Sequence, residues 1–295
     1  MRDKLIVLII IGLIMLSTNL HSQNSLEKAK ELMKNNENEQ AVQMLEELVK
    51  EDENNVEYYK LLATTYLKLS QNPENGMMKA MKYFKKCKKS FLRTIELDPD
   101  DIESRVFLVE SYYYPPKIAG GNKKKALEQL EEIKIRDPQK GMKISIEFLM
   151  FDEDYEQAIQ KCNEYINRYP GDLKIYHYLG MTFQQKEDFQ KAFEAFETVI
   201  AADSTALNSL YQIGRTAIFS EENLERGVEC MKLYLQNDPA EESPSLDAAH
   251  WRLGMIYEKQ GEMKLAKAEY EEAIKLNPKD KDYKKALKKV LKKLK

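Results

Sequence analysis

Apolar side chains in this chain return every three or four residues, with polar positions between them. That is the signature of one buried stripe per helix, not the strict alternation of a half-buried strand. The stripes come in pairs. Tyr176, Leu179 and Phe183 are followed by Ala192, Phe196 and Val199, and the same spacing returns at His250, Leu253 and Tyr257 followed by Ala266, Tyr270 and Ala273. Gly180 and Gly254 directly follow the leucine of each first stripe, where two helices crossing closely exclude a larger side chain. Pro99, Pro138, Pro170, Pro239 and Pro278 close such stretches at intervals of 39, 32, 69 and 39 residues, and Ser204 lies 34 after Pro170. The period therefore centres on 34. A single helix pair cannot bury its stripe alone, so the pattern predicts pairs stacked on their neighbours.

The run Tyr176-x2-Leu179-Gly180-x2-Phe183-x8-Ala192-x3-Phe196-x2-Val199-x4-Ser204, with its second copy from His250 to Pro278, resembles the tetratricopeptide repeat, a helix-turn-helix unit of 34 residues. The other copies are degraded but keep register. Ala29, Leu32, Ala41, Leu45 and Leu48 carry the first, and Tyr59, Leu62, Ala63, Tyr66, Cys87, Phe91 and Thr94 the second. Leu108, Val109, Tyr112, Ala126, Leu130 and Ile133 carry the third, Ala158, Cys162 and Tyr165 the fourth, and Leu210, Ile213, Gly214, Ala217, Gly227, Met231 and Tyr234 the sixth. The resemblance implies an all-α, right-handed α-solenoid of about seven repeats, at 22–55, 56–101, 102–140, 141–172, 173–206, 207–241 and 242–280. Residues 281–295 form one more apolar stripe, Tyr283, Ala286, Leu287, Val290, Leu291 and Leu294, read as a basic capping helix.

Ahead of the repeats, Arg2 and Lys4 precede an apolar run from Leu5 to Leu16, and a polar stretch ends near Ser22. This is the layout of a signal peptide over residues 1–22, and the run is shorter than the roughly twenty residues that cross a bilayer. The expectation is export to the periplasm or beyond, with an uncleaved N-terminal membrane anchor as the alternative.

Composition narrows the chemistry. The net charge is −3, and residues 279–295 hold nine Lys against Asp280 and Asp282, so an acidic body ends in a basic tail. An acidic, exported chain argues against nucleic acid as a partner. Cys87, Cys162 and Cys230 fall on packing positions of second helices and read as core thiols, too far apart to bridge. His177 and His250 have no ligand spacing, so no metal is expected. The chain has no GxSxG, P-loop or HExxH motif. We expect no enzyme activity and no cofactor.

A surface is left to carry function. In repeats of this kind, defined first-helix positions face a groove, and the resemblance places there Glu110, Tyr113, Tyr114, His177, Tyr178, Met181, Gln184, Tyr211, Arg215, Phe219, Trp251 and Met255. Aromatic anchors mixed with polar groups suit a protein or peptide segment. Lys60, Thr64 and Phe107 do not reproduce the carboxylate clamp of some cytosolic relatives. The expected function is a non-enzymatic interaction scaffold or adaptor in the bacterial cell envelope, with a periplasmic receptor for a short peptide or small ligand as the alternative. Two further features invite partners. Lys79, Lys82, Lys86, Lys89 and Arg93 share one helix face, which is either simply solvated or directed at an anionic surface, and the Lys-rich terminal helix offers a similar contact. The loop Pro115-Pro116 to Gly120-Gly121 interrupts the period and is either a variant connection or a flap over a ligand.

Overall fold

A computed structural model describes residues 21–240 and 243–295. The expected export segment, apart from its last two residues, lies outside them. Among the described residues there are fifteen α-helices and no strand. They are α1 (21–34), α2 (Asn38–Glu51), α3 (Val56–Gln71), α4 (Gly76–Leu97), α5 (Ile102–Tyr113), α6 (Lys123–Arg136), α7 (Pro138–Phe151) and α8 (Tyr155–Arg168). There follow α9 (Leu173–Gln185), α10 (Phe189–Ala202), α11 (Leu207–Ser220), α12 (Leu224–Leu235), α13 (Leu246–Gln260), α14 (Met263–Leu276) and α15 (Lys281–Lys293). No described helix is long and apolar enough to cross a membrane. The chain divides into two compact units, the first ending at Gly141 and the second beginning at Met142.

Local chemistry starts and stops the helices. Asn55, Asp101, Asn122, Asp154, Asp172, Asp188 and Asp280 each accept a hydrogen bond from a backbone N–H in the first turn of the following helix. Four of the turns within pairs repeat one geometry. Asn36, Glu153, Glu187 and Gly261 all take positive φ, and the next residue's N–H reaches back five residues to Leu32, Leu149, Phe183 and Tyr257 at 2.8–2.9 Å. This is a Schellman-type closure, usually made with glycine. Three of the four sites carry a Cβ instead, at a cost of roughly 1 kcal/mol each.

In the first unit, α3 and α4 form the most extensive pair, and α5 packs on α6. Leu45, Leu62, Cys87, Leu108, Leu130 and Ile133 are almost fully buried there. Burying each leucine or isoleucine side chain contributes roughly 1.5–3 kcal/mol. The loop between α5 and α6 closes on itself. Its short 3-10 turn at Lys117–Ala119 ends at Gly120 with φ 90°, and the Asn122 N–H donates to the Tyr112 carbonyl at 2.7 Å. A Cβ on Gly121 would lie 1.8 Å from the Pro115 carbonyl oxygen, so backbone crowding alone demands this glycine.

In the second unit each pair hands its stripe to the next. Met142, Ile146, Cys162, Tyr165, Ile175 and Leu179 form one cluster, and Phe193, Phe196, Leu210, Ile213 and Cys230 another. Met231, Tyr234, Leu253, Ile256, Tyr270 and Val290 make the last, which reaches into α15. A Cβ on Gly180 would stand 2.6 Å from the Phe196 ring, and one on Gly254 2.6 Å from the Tyr270 ring. These contacts explain the leucine-glycine pairs. All three cysteines are free and buried, and burial pushes their thiols up to about 12. That makes them inert.

Candidate functional site

The first helices of the last three pairs, α9, α11 and α13, lie side by side within the second unit. Their adjoining edges are sealed by polar contacts. His177 Nδ1 lies 2.9 Å from Ser209 Oγ, and the Gln184 amide donates to Thr216 Oγ1 at 2.8 Å. The His177 ring also packs on Phe196, with centroids 5.5 Å apart. Burial, reinforced by Lys174, pushes its pKa down to about 4, so it is neutral near pH 7.

The burial pattern corrects the expected groove. Tyr211 is buried with its ring 5.4 Å from Tyr234, and Gln184 is buried in the α9–α11 seam. His177 is turned into the same seam. Facing the groove in a repeat frame therefore does not mean facing solvent, because neighbouring first helices meet along that line. Glu110, Tyr113 and Tyr114 belong to the first unit. Tyr113 is buried there, edge-on to Tyr114 and beneath Lys123, whose Nζ is 4.7 Å from the ring centroid. Glu110 and Tyr114 are exposed.

The second unit keeps Tyr178, Met181, Arg215, Phe219, Trp251 and Met255 at least partly accessible. Tyr178 is anchored, its hydroxyl donating to Glu147 on α7. Phe219 is 47% exposed. Arg215 lies over the Phe219 ring at 5.4 Å, and Arg252, absent from the expected set, lies over Trp251 at 4.6 Å. Neither arginine has an acidic residue three or four positions away in sequence, a signal already present in the letters.

The C-terminal helix closes this end. Tyr283 packs on Trp251 at 5.4 Å and donates to Asp247 Oδ2 at 3.0 Å. Lys289 and Lys293 both reach Glu258 Oε1 at 2.8 Å. Burial raises the Glu258 carboxyl, but the two ammonium groups together outweigh it and hold the pKa below its usual value. Between α13 and α15 remains a cleft of about 600 Å³, lined by Trp251, Met255, Glu258, Lys285 and Lys292. The terminal lysines are thus partly committed to the protein itself.

The lysine face of α4 is committed more fully. Lys79 pairs with Glu39 at 2.6 Å, Lys86 with Glu46 at 2.8 Å, and Arg93 with Glu96 at 3.1 Å. Three of the five cations on this face therefore end in ion pairs, two of them between α4 and α2, while Lys82 and Lys89 stay exposed as on a solvated face. On another side of α4, Lys88 lies 3.7 Å from the Tyr112 ring centroid and donates to the Ser111 and Gly120 carbonyls at 3.4 and 3.5 Å. It borders a cleft of about 620 Å³ lined by Met81, Phe84, Lys85, Lys117 and Ile118. Among the described residues no cluster of His, Cys, Asp and Glu could hold a metal.

Comparison with known proteins agrees with this architecture. A family model described as tetratricopeptide repeat matches residues 173–205 and 248–280. No curated protein matches. Among solved structures, a tetratricopeptide repeat protein from Parabacteroides merdae is 13% identical, with a TM-score of 0.59, over 92% of this chain and 98% of that one. The C-terminal part of a TPR repeat-containing protein from Cytophaga hutchinsonii is 14% identical with a TM-score of 0.56, over 89% and 99% of the two chains. Pseudomonas aeruginosa pilF is 15% identical with a TM-score of 0.52, over 77% and 97%. At these identities the likeness establishes the fold alone.

Proposed function

We propose that this chain of tetratricopeptide repeats is a non-enzymatic interaction module of the cell envelope that holds a protein segment on the first-helix face of its second unit. Tetratricopeptide repeats typically bind proteins or peptides. The observation that carries the reading is that Met181, Phe219 and Met255 stay accessible on three adjacent helices, with Arg215 one turn before Phe219 on α11. Large apolar side chains beside a guanidinium make a suitable anchor patch. The basic start and short apolar run of residues 1–22 support export.

Affinity capture from envelope fractions tests the surface. Phe219→Ser and Met255→Ser should each abolish recovery of a partner, while Leu265→Ser, at an exposed apolar position on α14, should leave it intact. The opposite pattern would move the binding surface to the second-helix side. Fractionation of the full chain against a form lacking residues 1–22 tests the location, and equal distribution of the two forms would remove the envelope assignment.

A further inference from the structure

Two arginines in the second unit are short of partners among the described residues. The Arg215 and Arg252 Nε atoms are both buried, and neither has a hydrogen-bond acceptor there. Arg215 otherwise donates through Nη1 to Gln212 Oε1 at 3.1 Å, and among the described residues Arg252 Nη1 meets the Met255 thioether at 3.8 Å, a weak acceptor. Burial holds the Arg215 guanidinium below its ordinary range, and the neighbouring Arg252 charge lowers it further.

Other buried or bridging arginines are satisfied. Arg226 binds both oxygens of Glu197, at 2.7 and 3.0 Å, and also meets Glu229. Arg136 meets Asp100 and Glu132. Arg105 has no carboxylate in hydrogen-bond contact among the described residues, but it donates to the Pro99 carbonyl at 3.0 Å and to Gln129 at 2.7 Å. Arg215 and Arg252 thus form a like-charged pair without a counter-ion among the described residues. The two sit on adjacent helices, each beside an aromatic ring that restricts where its planar head can swing.

Forked N–H donors of this kind bind carboxylates at two points. We propose that Arg215 and Arg252 together receive a carboxylate from the bound segment, with Phe219 and Met255 taking apolar residues beside it. This rests on the groove reading and specifies its partner as a segment with an acid flanked by apolar side chains. The carboxylate belongs either to an aspartate or glutamate side chain or to a chain terminus.

The test selects random twelve-residue peptides on the intact protein and measures affinities of the winners by fluorescence anisotropy. Each winner is remade with its acids changed to amides, and with free and amidated C-termini. Neutralising the relevant acid should weaken binding about tenfold or more, and amidation decides which source supplies it. Arg215→Met and Arg252→Met should cause a similar loss, with no further loss on neutralising the peptide. Arg215→Lys, which keeps charge and removes the fork, should fall between, and circular dichroism verifies the fold of each variant. Winners that respond to Phe219→Ala but are indifferent to acid neutralisation and to both arginine changes would overturn the carboxylate while leaving the groove standing. Failure to enrich any peptide would remove the groove reading and this inference together.

Discussion

The α2–α4 seam of the first unit and the α11–α13 face of the second both crowd cations onto packed helices, yet they treat those cations oppositely. On α4, Lys79 and Lys86 end on Glu39 and Glu46, and Tyr66 shares Glu46 with Lys86. On α11 and α13, Arg215 and Arg252 are neighbouring charges whose buried Nε–H groups have no partner among the described residues. A charge paired at home stabilises the fold modestly, whereas one left unpaired costs stability and is open to a ligand. Positive charge by itself therefore says little about where this protein binds.

The largest expected effect concerns a further proton on the second unit's face. His177 has an ordinary pKa near 6.5 and about 4 when folded, so its neutral form contributes stability that is fully present above pH 6.5 and lost as pH falls toward 4. The linkage amounts to about 1.6 kcal/mol between pH 6.5 and 5. Urea denaturation at those two pH values should show that loss in the native protein and much less in His177→Gln. An unchanged pH slope in the variant would mean that this face tolerates another cation. Carboxylates with lowered pKa, such as Glu258 and Asp172, lose their contribution only at lower pH.

Breaking the paired side of the comparison should matter less. Glu46→Gln leaves the Lys86 ammonium without its carboxylate and weakens the acceptor for Tyr66, an expected loss of about 0.5–1 kcal/mol by urea denaturation, since the pair is partly solvent-screened. The unpaired side should respond with the opposite sign. Arg215→Met removes a partly buried charge beside Arg252 and should raise stability by about 0.5–1 kcal/mol in the absence of ligand. If Arg215→Met destabilised as much as Glu46→Gln, the two cation environments would not differ. The smallest expected effect is at a turn. Glu187→Gly relieves a left-handed residue and should gain about 0.5 kcal/mol by the same measurement.

The repeat frame was most legible where two helices cross too closely for a larger side chain. Gly180 must admit the Phe196 ring and Gly254 the Tyr270 ring, and those stretches coincide with the two family-model matches. The left-handed turns were legible only at Gly261 and Asn36. Glu153 and Glu187 adopt the same geometry without the usual residue, because the helices on either side fix the backbone between them. The groove was legible by helix face and not by depth. Tyr211 and Phe219 both face the expected side of α11, but Tyr211 meets Tyr234 while Phe219 extends past the packed layer. Arg252 could have been suspected from the lack of any acid within a turn of it.

The sequence by itself determined that this protein is a run of helix pairs with buried thiols and a basic last helix, since periodicity, glycine at close crossings and proline at pair ends are local properties. Only the tertiary structure decided which charges are spent inside the protein. Lys86 and Arg215 look alike in sequence, each a cation on an amphipathic helix with no acid one turn away. What separates them is the neighbouring helix: α2 brings Glu46 to Lys86, whereas α13 brings Arg252 to Arg215. Charge compensation acts over a few ångströms between residues far apart in the chain, so packing settles it and local pattern cannot.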